Sequence, residues 1–275
     1  MKKFTAVILS IICGLALVGC GSSKDSDTKT IVVGATSTPH AEILEGAVAS
    51  QLKAAGYKLE VKVFDDYTLP NKSLDQGDLD ANYFQHTPYL NQEIKDNKYD
   101  IVSVAKIHYE PLGIYSKTTK SKNDNFSVND VKEKAQIVVP DDATNEARAL
   151  QLLASKGIIT LKEGAGLKAT KDDITANPKN VEIVEVKADS CAASLEDADY
   201  AIVNGNYALS AKITSKLITS EDSNSEAAQT FANILVVRSK DKNSAKTKAL
   251  KKALTSEKTK KYINDKYKGT VVAVF

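Results

Sequence analysis

Runs of apolar residues with two different periods alternate along this chain. Short stretches rich in Val and Ile have the composition of β-strands, and amphipathic stretches with helical spacing separate them. The predicted strands cover residues 31–36, 58–64, 81–86, 100–108, 136–140, 181–186, 200–204, 231–238 and 270–275. The predicted helices cover residues 39–55, 89–97, 127–134, 144–156, 192–197 and 244–267, with a short helical segment starting at Pro70. This alternation predicts an α/β fold with mainly parallel strands.

Two mostly polar segments interrupt the alternation, at residues 110–129 and 220–230. We interpret them as crossings between two lobes, since a chain that leaves one lobe and returns to it crosses twice. The predicted lobes comprise residues 30–113 together with 230–275, and residues 114–229. The chain is long enough for two lobes of ordinary domain size, and a cleft between lobes suits a small-molecule receptor.

The first twenty residues have the pattern of a lipoprotein signal peptide. Two lysines precede an apolar run at residues 4–18, and small residues lead from it to Cys20. The run is shorter than the about 20 apolar residues that a membrane-spanning helix needs. We therefore predict a signal peptide at residues 1–19, lipidation of Cys20 and a flexible linker at residues 20–29. The lipid would hold the protein on the extracytoplasmic face of the cell membrane.

The charge balance argues against one class of partner. The chain has 37 basic and 35 acidic residues, and removal of the signal peptide takes away two lysines, so the predicted mature chain is formally neutral. Nucleic acids and anionic lipids are bound by proteins with a dominant positive field. We therefore expect no nucleic-acid partner, and a membrane contact through the lipid anchor alone.

The cysteines and histidines give no pattern of a disulfide framework or a metal site. Lipidation uses Cys20, which leaves Cys191 as the other cysteine of the predicted mature chain. His40, His86 and His108 come from separate segments, and no two of them have the spacing of metal ligands. We predict that the protein has no metal site and needs no cofactor.

Arginine is rare in this chain, which makes its positions informative. The predicted mature chain has 33 lysines but only two arginines, Arg148 and Arg238. Arg148 follows Asn145 by three residues near the start of a predicted helix, so the two side chains share a helix face. A guanidinium can bind a carboxylate through two parallel hydrogen bonds, which a lysine cannot do. We interpret Arg148 as a carboxylate anchor; the alternative is a surface ion pair within the acidic segment 141–146.

Aromatic residues are concentrated around the third predicted strand. If this strand is regular, Phe84 and His86 face one side of the sheet and Tyr83 and Gln85 face the other. One side is then suited to line a pocket for a polarisable apolar group such as a thioether, which contacts aromatic rings favourably. Phe64, Tyr83 and Tyr89 are more simply explained as core residues.

Several long stretches follow the pattern of one known family. The clearest is FDDYTLPNKSLDQGDLDANYFQHTPYL at residues 64–90. Others, which extend the match over nearly the whole mature chain, are GATSTPHAEIL, IHYEPLGIYS, DDATNEARAL, NPKN, AIVNGNYAL and FANILVVR. These stretches resemble the methionine-binding lipoproteins of bacterial methionine ABC importers, of the NlpA/MetQ type. The stretch ADSCAA at residues 188–193 departs from the family pattern.

The resemblance implies a two-lobed periplasmic-binding-protein fold, type II-like, with the ligand cleft between the lobes. It implies a lipoprotein that captures methionine, in the first instance L-methionine, and delivers it to an ABC permease driven by an ATPase subunit. It also implies three residue roles: a cage around the methionine side chain, contacts to its carboxylate and polar contacts to its amino-acid backbone. The cage residues are Tyr67, Phe84 and His86. The carboxylate contacts are Asn145 and Arg148, and the contacts to the amino-acid backbone are Asn206 and Asn233.

Other functions have weaker support in the sequence. The G-x-S-x-G and H-E-x-x-H motifs of exported hydrolases are absent, and the acidic doublets at residues 65–66 and 141–142 are more simply solvated loops. A receptor for D-methionine, its sulfoxide or a methionine-containing dipeptide differs by contacts too small to read from sequence. A surface adhesin would leave no trace in the cleft residues. We expect a monomeric binding protein and not an enzyme, and these alternatives stay open.

Overall fold

The computed structural model describes residues 29–118, 122–222 and 229–275. Within them the chain forms two mixed β-sheets with helices packed around them. The predicted signal peptide, Cys20 and the linker up to residue 28 lie outside the described residues. In the described ranges, no helix combines the length and the apolar character that crossing a bilayer requires.

The first sheet has six strands, which come from both ends of the described chain. They are β1 (Thr30–Ala35), β2 (Lys58–Val63), β3 (Ala81–His86), β4 (Ile101–Tyr109), β12 (Asn233–Arg238) and β13 (Val272–Ala273). Their order across the sheet is β13-β4-β12-β3-β1-β2. β1 pairs in parallel with β2 and β3, whereas β12 runs antiparallel to both β3 and β4.

The second sheet is built from the middle of the chain. Its strands are β5 (Gly113–Tyr115), β6 (Gln136–Pro140), β9 (Glu182–Val186), β10 (Tyr200–Val203) and β11 (Leu217–Ser220). Their order is β11-β5-β10-β6-β9, and a separate two-stranded ladder joins β7 (Thr160–Leu161) to β8 (Ile174–Ala176). Each large sheet has its own main apolar core.

The helices cover these sheets, and several of their ends follow from local sequence. The α-helices of the described residues are α1 (Ala49–Ala54), α2 (Leu69–Gln76), α3 (Thr87–Asn97), α4 (Ala143–Ser155), α5 (Cys191–Ser194), α6 (Gly205–Ser210), α7 (Ala245–Leu254) and α8 (Glu257–Tyr267). A wider π-helical turn at Leu44–Val48 precedes α1, and before it Thr38 is extended, with φ of −125° and ψ of 133°. Asp142 caps α4 by accepting a hydrogen bond from the backbone N–H of Asn145 at 3.0 Å. Gly77 ends α2 in the left-handed conformation, with φ of 91°.

The α/β class is confirmed, but the prediction of mainly parallel strands is wrong. Two antiparallel pairs arise because β12 returns from the second sheet and inserts between β3 and β4. The pairs of β13 with β4 and of β5 with β10 and β11 are antiparallel as well. The chain passes from one sheet to the other after β4 and again after β11, within the two predicted crossing segments. β5 lies inside the first of these segments, and the predicted lobe boundary after residue 113 cuts it. The division into two lobes stays a prediction.

Two helix predictions are also wrong. The segment 244–267 contains two helices instead of one, because Ser256 interrupts it and caps α8 by accepting a hydrogen bond from the backbone N–H of Thr259 at 3.2 Å. The segment 127–134 contains a single 3₁₀ turn, Val128–Asp130, held by a local capping box. Lys134, with φ of 55°, lies outside helical conformation. At residues 244–267 a side-chain cap acts where the apolar pattern predicted a continuous helix. At residues 127–134 the predicted capping signal of Ser127 and Asp130 is present, but only one turn follows it.

We expect Ser256→Ala to lower the free energy of unfolding by about 1 kcal/mol, because the first turn of α8 loses its side-chain cap. Chemical denaturation measures this change. Thr255→Ala is the matched control, since the Thr255 hydroxyl donates to the Lys251 carbonyl at the C-terminal end of α7 and accepts no hydrogen bond from α8. An equal effect of the two substitutions would contradict the assignment of Ser256 as the cap.

Candidate functional site

A narrow cavity of about 20 Å³, roughly the room for one water molecule, lies where elements of the two sheets meet. The ends of β3 and β4 and the start of β12 contribute residues from the first sheet, and the starts of α4 and α6 contribute residues from the second. The lining residues are Tyr67, Phe84, Gln85, His86, Tyr89, Glu110, Asn145, Arg148, Asn204, Gly205, Asn206 and Asn233. All seven predicted ligand-binding residues are among them. Their ligand contacts stay a prediction.

Aromatic rings form one wall of the cavity. The ring centroids of Tyr67 and Phe84 are 5.8 Å apart, and Tyr89 lies 5.8 Å from Tyr67 and 6.1 Å from Phe84. The Tyr67 hydroxyl donates to Asn206 Oδ1 at 2.6 Å, which links the first sheet's side of the cavity to the second. Tyr89, favoured as a core residue from the sequence, also lines this cavity. The wall is apolar and polarisable, and its two hydroxyl donors are both engaged, since the Tyr89 hydroxyl donates to the Tyr67 carbonyl at 3.1 Å.

The strand that supplies Phe84 is irregular. Ile234 of β12 pairs with Gln85 and Leu235 pairs with Tyr83, so Phe84 is the extra residue of a β-bulge. Gln85 therefore hydrogen bonds on the side of Asn82, at 3.0 Å, and does not share a face with Tyr83. The predicted regular alternation along this strand is wrong for that reason.

His86 and Asn145 join the two sides of the cavity. Because His86 Nδ1 accepts a hydrogen bond from the Tyr89 backbone N–H at 3.2 Å, its Nε2 carries the proton and donates to Asn145 Oδ1 at 3.1 Å. The Asn204 amide also donates to Asn145 Oδ1, at 2.9 Å. Burial, together with the nearby charge of Arg148, lowers the pKa of His86 to about 3. His86 is therefore a neutral donor at physiological pH.

Arg148 is buried and held by a carboxylate that the sequence reading missed. Its Nε and Nη2 donate to the two oxygens of Glu221 at 2.8 and 2.6 Å, and its Cζ lies 4.2 Å from the centroid of the Phe231 ring. Nη2 also donates to the Glu110 carbonyl at 3.0 Å. The alternative of a surface pair within the segment 141–146 is therefore wrong. Among the described residues, no hydrogen bond from Nη1 accompanies those of Nε and Nη2.

Glu110 is a second buried charge at the cavity, and the sequence reading did not select it. His108 Nε2 contacts Glu110 Oε1 at 2.6 Å, and the Asn233 amide donates to the same oxygen at 3.4 Å. The Tyr83 hydroxyl hydrogen bonds to the other ring nitrogen of His108. Burial lowers the pKa of His108 to about 3 and that of His40 to about 4. Neutral histidines with fixed protons thus hold one oxygen of Glu110.

Two buried acceptors at the cavity have no donor among the described residues, Glu110 Oε2 and Asn204 Oδ1. Burial raises the pKa of Glu110 to about 7, although His40 and Arg148 act in the opposite direction. Gly205 permits this arrangement, because a Cβ there would lie 2.7 Å from Glu110 Oε2. Buried acceptors are almost always paired in folded proteins, so the two oxygens indicate a ligand that donates hydrogen bonds.

The fold brings together three side chains that could in principle hold a metal. Ligand atoms of His40, His108 and Glu110 lie within 4.8 Å of one another, although the sequence showed no such spacing. Each ring nitrogen of the two histidines already has a hydrogen-bond partner, and Glu110 Oε1 accepts from one of them. This arrangement favours a hydrogen-bond network over a metal site.

The residues that sequence reasoning missed share one property: their roles depend on long-range contacts. Glu110, Asn204 and Gly205 lie within stretches that resemble the family, IHYEPLGIYS and AIVNGNYAL, so the resemblance was the available signal. Glu221 lies in a polar segment where no local pattern separates a buried glutamate from a solvated one. Glu221 is largely buried because Arg148 of α4 binds it, and this long-range contact cannot be read from the sequence around Glu221.

Comparisons with known proteins agree on one family. The sequence profile of the NlpA lipoprotein family matches residues 31–275. The methionine-binding lipoprotein MetQ of Bacillus subtilis is 41% identical, covering 100% of this chain and 99% of the relative. Other relatives are named D-methionine-binding lipoproteins.

Solved structures agree with this assignment. A nutrient binding protein from Burkholderia cenocepacia bound to methionine has a TM-score of 0.82 and 40% identity, covering 89% of this chain and 100% of its own. An ABC transporter periplasmic substrate-binding protein from Coxiella burnetii has a TM-score of 0.80 and 35% identity, with 89% and 100% covered. The periplasmic-binding-protein fold expected from the resemblance is confirmed.

We expect Glu221→Gln to lower the free energy of unfolding by about 3–5 kcal/mol, because it leaves the Arg148 guanidinium buried without a counter-charge. The measurement is chemical denaturation without ligand. Glu196→Gln is the matched control: its pair with Lys216 is exposed, at 73% for Glu196, and should contribute less than about 1 kcal/mol. Similar small losses for both variants would show that Glu221 does not hold Arg148.

Proposed function

The chain belongs to the NlpA lipoprotein family, and we propose that it is the substrate-binding lipoprotein of an ABC importer that captures L-methionine. The named relatives are binding and transport proteins, and we assign the same class here, not that of an enzyme. In this proposal a lipid on Cys20 holds the monomeric protein on the extracytoplasmic face of the membrane. From there it delivers methionine to the permease, which an ATPase subunit drives. The observation that carries the proposal is one buried cavity with unsatisfied acceptors, a guanidinium and an aromatic wall.

The unsatisfied acceptors fit the α-ammonium group of an amino acid. Glu110 Oε2 and Asn204 Oδ1 are buried and lack donors, and an ammonium supplies three N–H donors with a positive charge. A charge-assisted hydrogen bond of this kind contributes about 1.5–3 kcal/mol. The carboxylate of Glu110 also neutralises the ammonium in a site where water is largely excluded.

The guanidinium fits the α-carboxylate of the same ligand. Arg148 is bound to Glu221 through Nε and Nη2, so its position is fixed, and Nη1 is the nitrogen that we assign to the ligand. A fixed cation requires little reorganisation when the ligand binds, which favours affinity. Opposite charges on Arg148 and Glu110 therefore match a zwitterion.

The aromatic wall fits a thioether side chain. Burying a methionine side chain contributes about 1.5–3 kcal/mol, and sulfur–ring contacts add about 0.3–1.5 kcal/mol each. These contributions and those of the charged contacts add up to a binding free energy that, after the cost of immobilising the ligand, is consistent with micromolar or tighter affinity. A sulfoxide oxygen would need a donor at this wall, where the Tyr67 hydroxyl is already bonded to Asn206.

We expect Arg148→Lys to lose most of the affinity for L-methionine and Arg238→Lys to lose little. Arg238 lies at the opposite end of β12 from the cavity, where it binds Asp241 at 2.7 Å and the Leu74 carbonyl at 3.1 Å. Losing one charge-assisted bond of about 1.5–3 kcal/mol corresponds to roughly 10- to 150-fold. Isothermal titration calorimetry on ligand-free protein measures both variants.

Equal affinity losses in the two arginine variants would contradict the anchor assignment. Titration with D-methionine, methionine sulfoxide and a methionine-containing dipeptide, in the same instrument, tests the choice of ligand. Tighter binding of any of these than of L-methionine would overturn that choice and leave the amino-acid site intact. No binding of any of them would overturn the proposed function.

We expect the affinity for methionine to fall as the pH drops below about 7, because a raised pKa of about 7 means that Glu110 becomes neutral there. A neutral carboxyl loses the charge that pairs with the ammonium, and each pH unit below the pKa weakens binding by up to about tenfold. His86 and His108, with pKa values of about 3, and His40, at about 4, do not titrate between pH 5 and 7.

Calorimetric titration at pH 5, 6 and 7 measures this dependence. Glu110→Gln is the matched variant: it should bind methionine more weakly at pH 7 and show no change in affinity between pH 5 and 7. A wild-type affinity that is constant over this range would contradict the role of Glu110.

A further inference from the structure

Formal neutrality of the mature chain conceals a strong separation of charge. Residues 240–268 contain eleven lysines and three acidic residues, whereas the rest of the predicted mature chain has 24 basic and 32 acidic residues. This segment folds into α7 and α8 on the first sheet's side of the molecule. The whole-chain charge balance, which argued against anionic partners, therefore does not describe this surface.

Three lysines on α7 define what we term the basic face: Lys248, Lys251 and Lys252. All three are exposed, and among the described residues none of them pairs with a carboxylate. Lys258, at the start of α8, is also exposed and donates to the Ser50 hydroxyl. Lysines in the last turn of a helix offset its dipole, which accounts for Lys251 and Lys252 only in part. The basic face has uncompensated positive charge that is open to solvent.

The described chain begins beside this face. Asp80 Oδ2 accepts a hydrogen bond from the backbone N–H of Val32 at 2.8 Å, and Lys246 of α7 contacts the two oxygens of Asp80 at 3.1 and 3.2 Å. The Asp80 carboxylate therefore contacts both Val32 of β1 and Lys246 of α7. Thr30, the first residue of β1, lies two residues before Val32. Helix α7 has ten residues, so its lysines lie within about 15 Å of this point.

The proposed lipid anchor is short enough to keep the basic face near the bilayer. Cys20 precedes Thr30 by ten residues, which span at most about 35 Å when fully extended. A short linker gives the tethered surface a high effective concentration at the membrane, so a weak attraction suffices for contact. A lysine close to an anionic lipid surface contributes about 1 kcal/mol.

From these positions we infer that the basic face is a membrane-docking surface that binds anionic phospholipid headgroups next to the lipid anchor. Because β1 and β3 are parallel, both strands begin on the same side of the sheet. The cavity residue His86 is the last residue of β3 and therefore lies on the opposite side. Docking through the basic face therefore leaves the ligand cavity away from the lipid. The inference rests on the proposed lipid anchor but not on the identity of the ligand.

Vesicle co-sedimentation of the mature chain with Cys20→Ser, which prevents lipidation, tests the inference. The probes are vesicles of phosphatidylglycerol mixed with phosphatidylcholine, and vesicles of phosphatidylcholine alone. We expect binding to the anionic vesicles only, weakened by added salt because the contact is electrostatic. The triple variant Lys248→Gln, Lys251→Gln, Lys252→Gln should lose more than tenfold in the partition coefficient.

The matched control removes the same charge from the second sheet's side: Lys134→Gln, Lys162→Gln, Lys168→Gln, three exposed lysines with no carboxylate partner in the described ranges. This variant should bind anionic vesicles nearly as the parent does. Equal losses in both triple variants, or no binding by the parent protein, would overturn the inference. Unchanged thermal unfolding and methionine affinity of both variants separate this result from misfolding and from failure of the proposed function.

Discussion

Two opposite charges buried in one small cavity constrain the rest of this structure. Arg148 and Glu110 each need partners, since an isolated charge in a poorly hydrated site is strongly unfavourable. Glu221 supplies two hydrogen bonds to the guanidinium, and His108 with Asn233 supplies contacts to one oxygen of Glu110. The second oxygen of Glu110 has no donor within the described chain. The described residues therefore supply donors to only one oxygen of the Glu110 carboxylate. We assign the donor to the other oxygen, Oε2, to the ammonium group of the ligand.

These partners come from both sheets, which explains why the site lies between them. Contacts across the cavity join Tyr67 to Asn206, His86 to Asn145, and the Tyr207 hydroxyl to the Asp65 carbonyl. These hydrogen bonds connect the two sides of the cavity directly in the described conformation. In a binding protein with two lobes, a ligand stabilises closure because it contacts both sides at once. A zwitterion does so with its charged groups, and an apolar side chain adds aromatic contacts.

The sequence predicted the local features of this molecule better than its long-range ones. Strand β3 and helix α4 were placed nearly correctly, and Asn145 and Arg148 were assigned to one helix face from their spacing alone. The antiparallel insertion of β12 and the bulge at Phe84 were missed, because both are set by pairing with distant strands. Glu110 and Glu221 were missed for the same reason: burial decides their chemistry, and burial is a property of the fold.

A crystal structure of the protein with L-methionine tests the central claim most directly. We predict the methionine nitrogen within hydrogen-bond distance of Glu110 Oε2 and Asn204 Oδ1, its carboxylate on Arg148 Nη1, and its sulfur against the rings of Tyr67 and Phe84. A ligand bound in the reverse direction, with its ammonium group away from Glu110, would contradict the account.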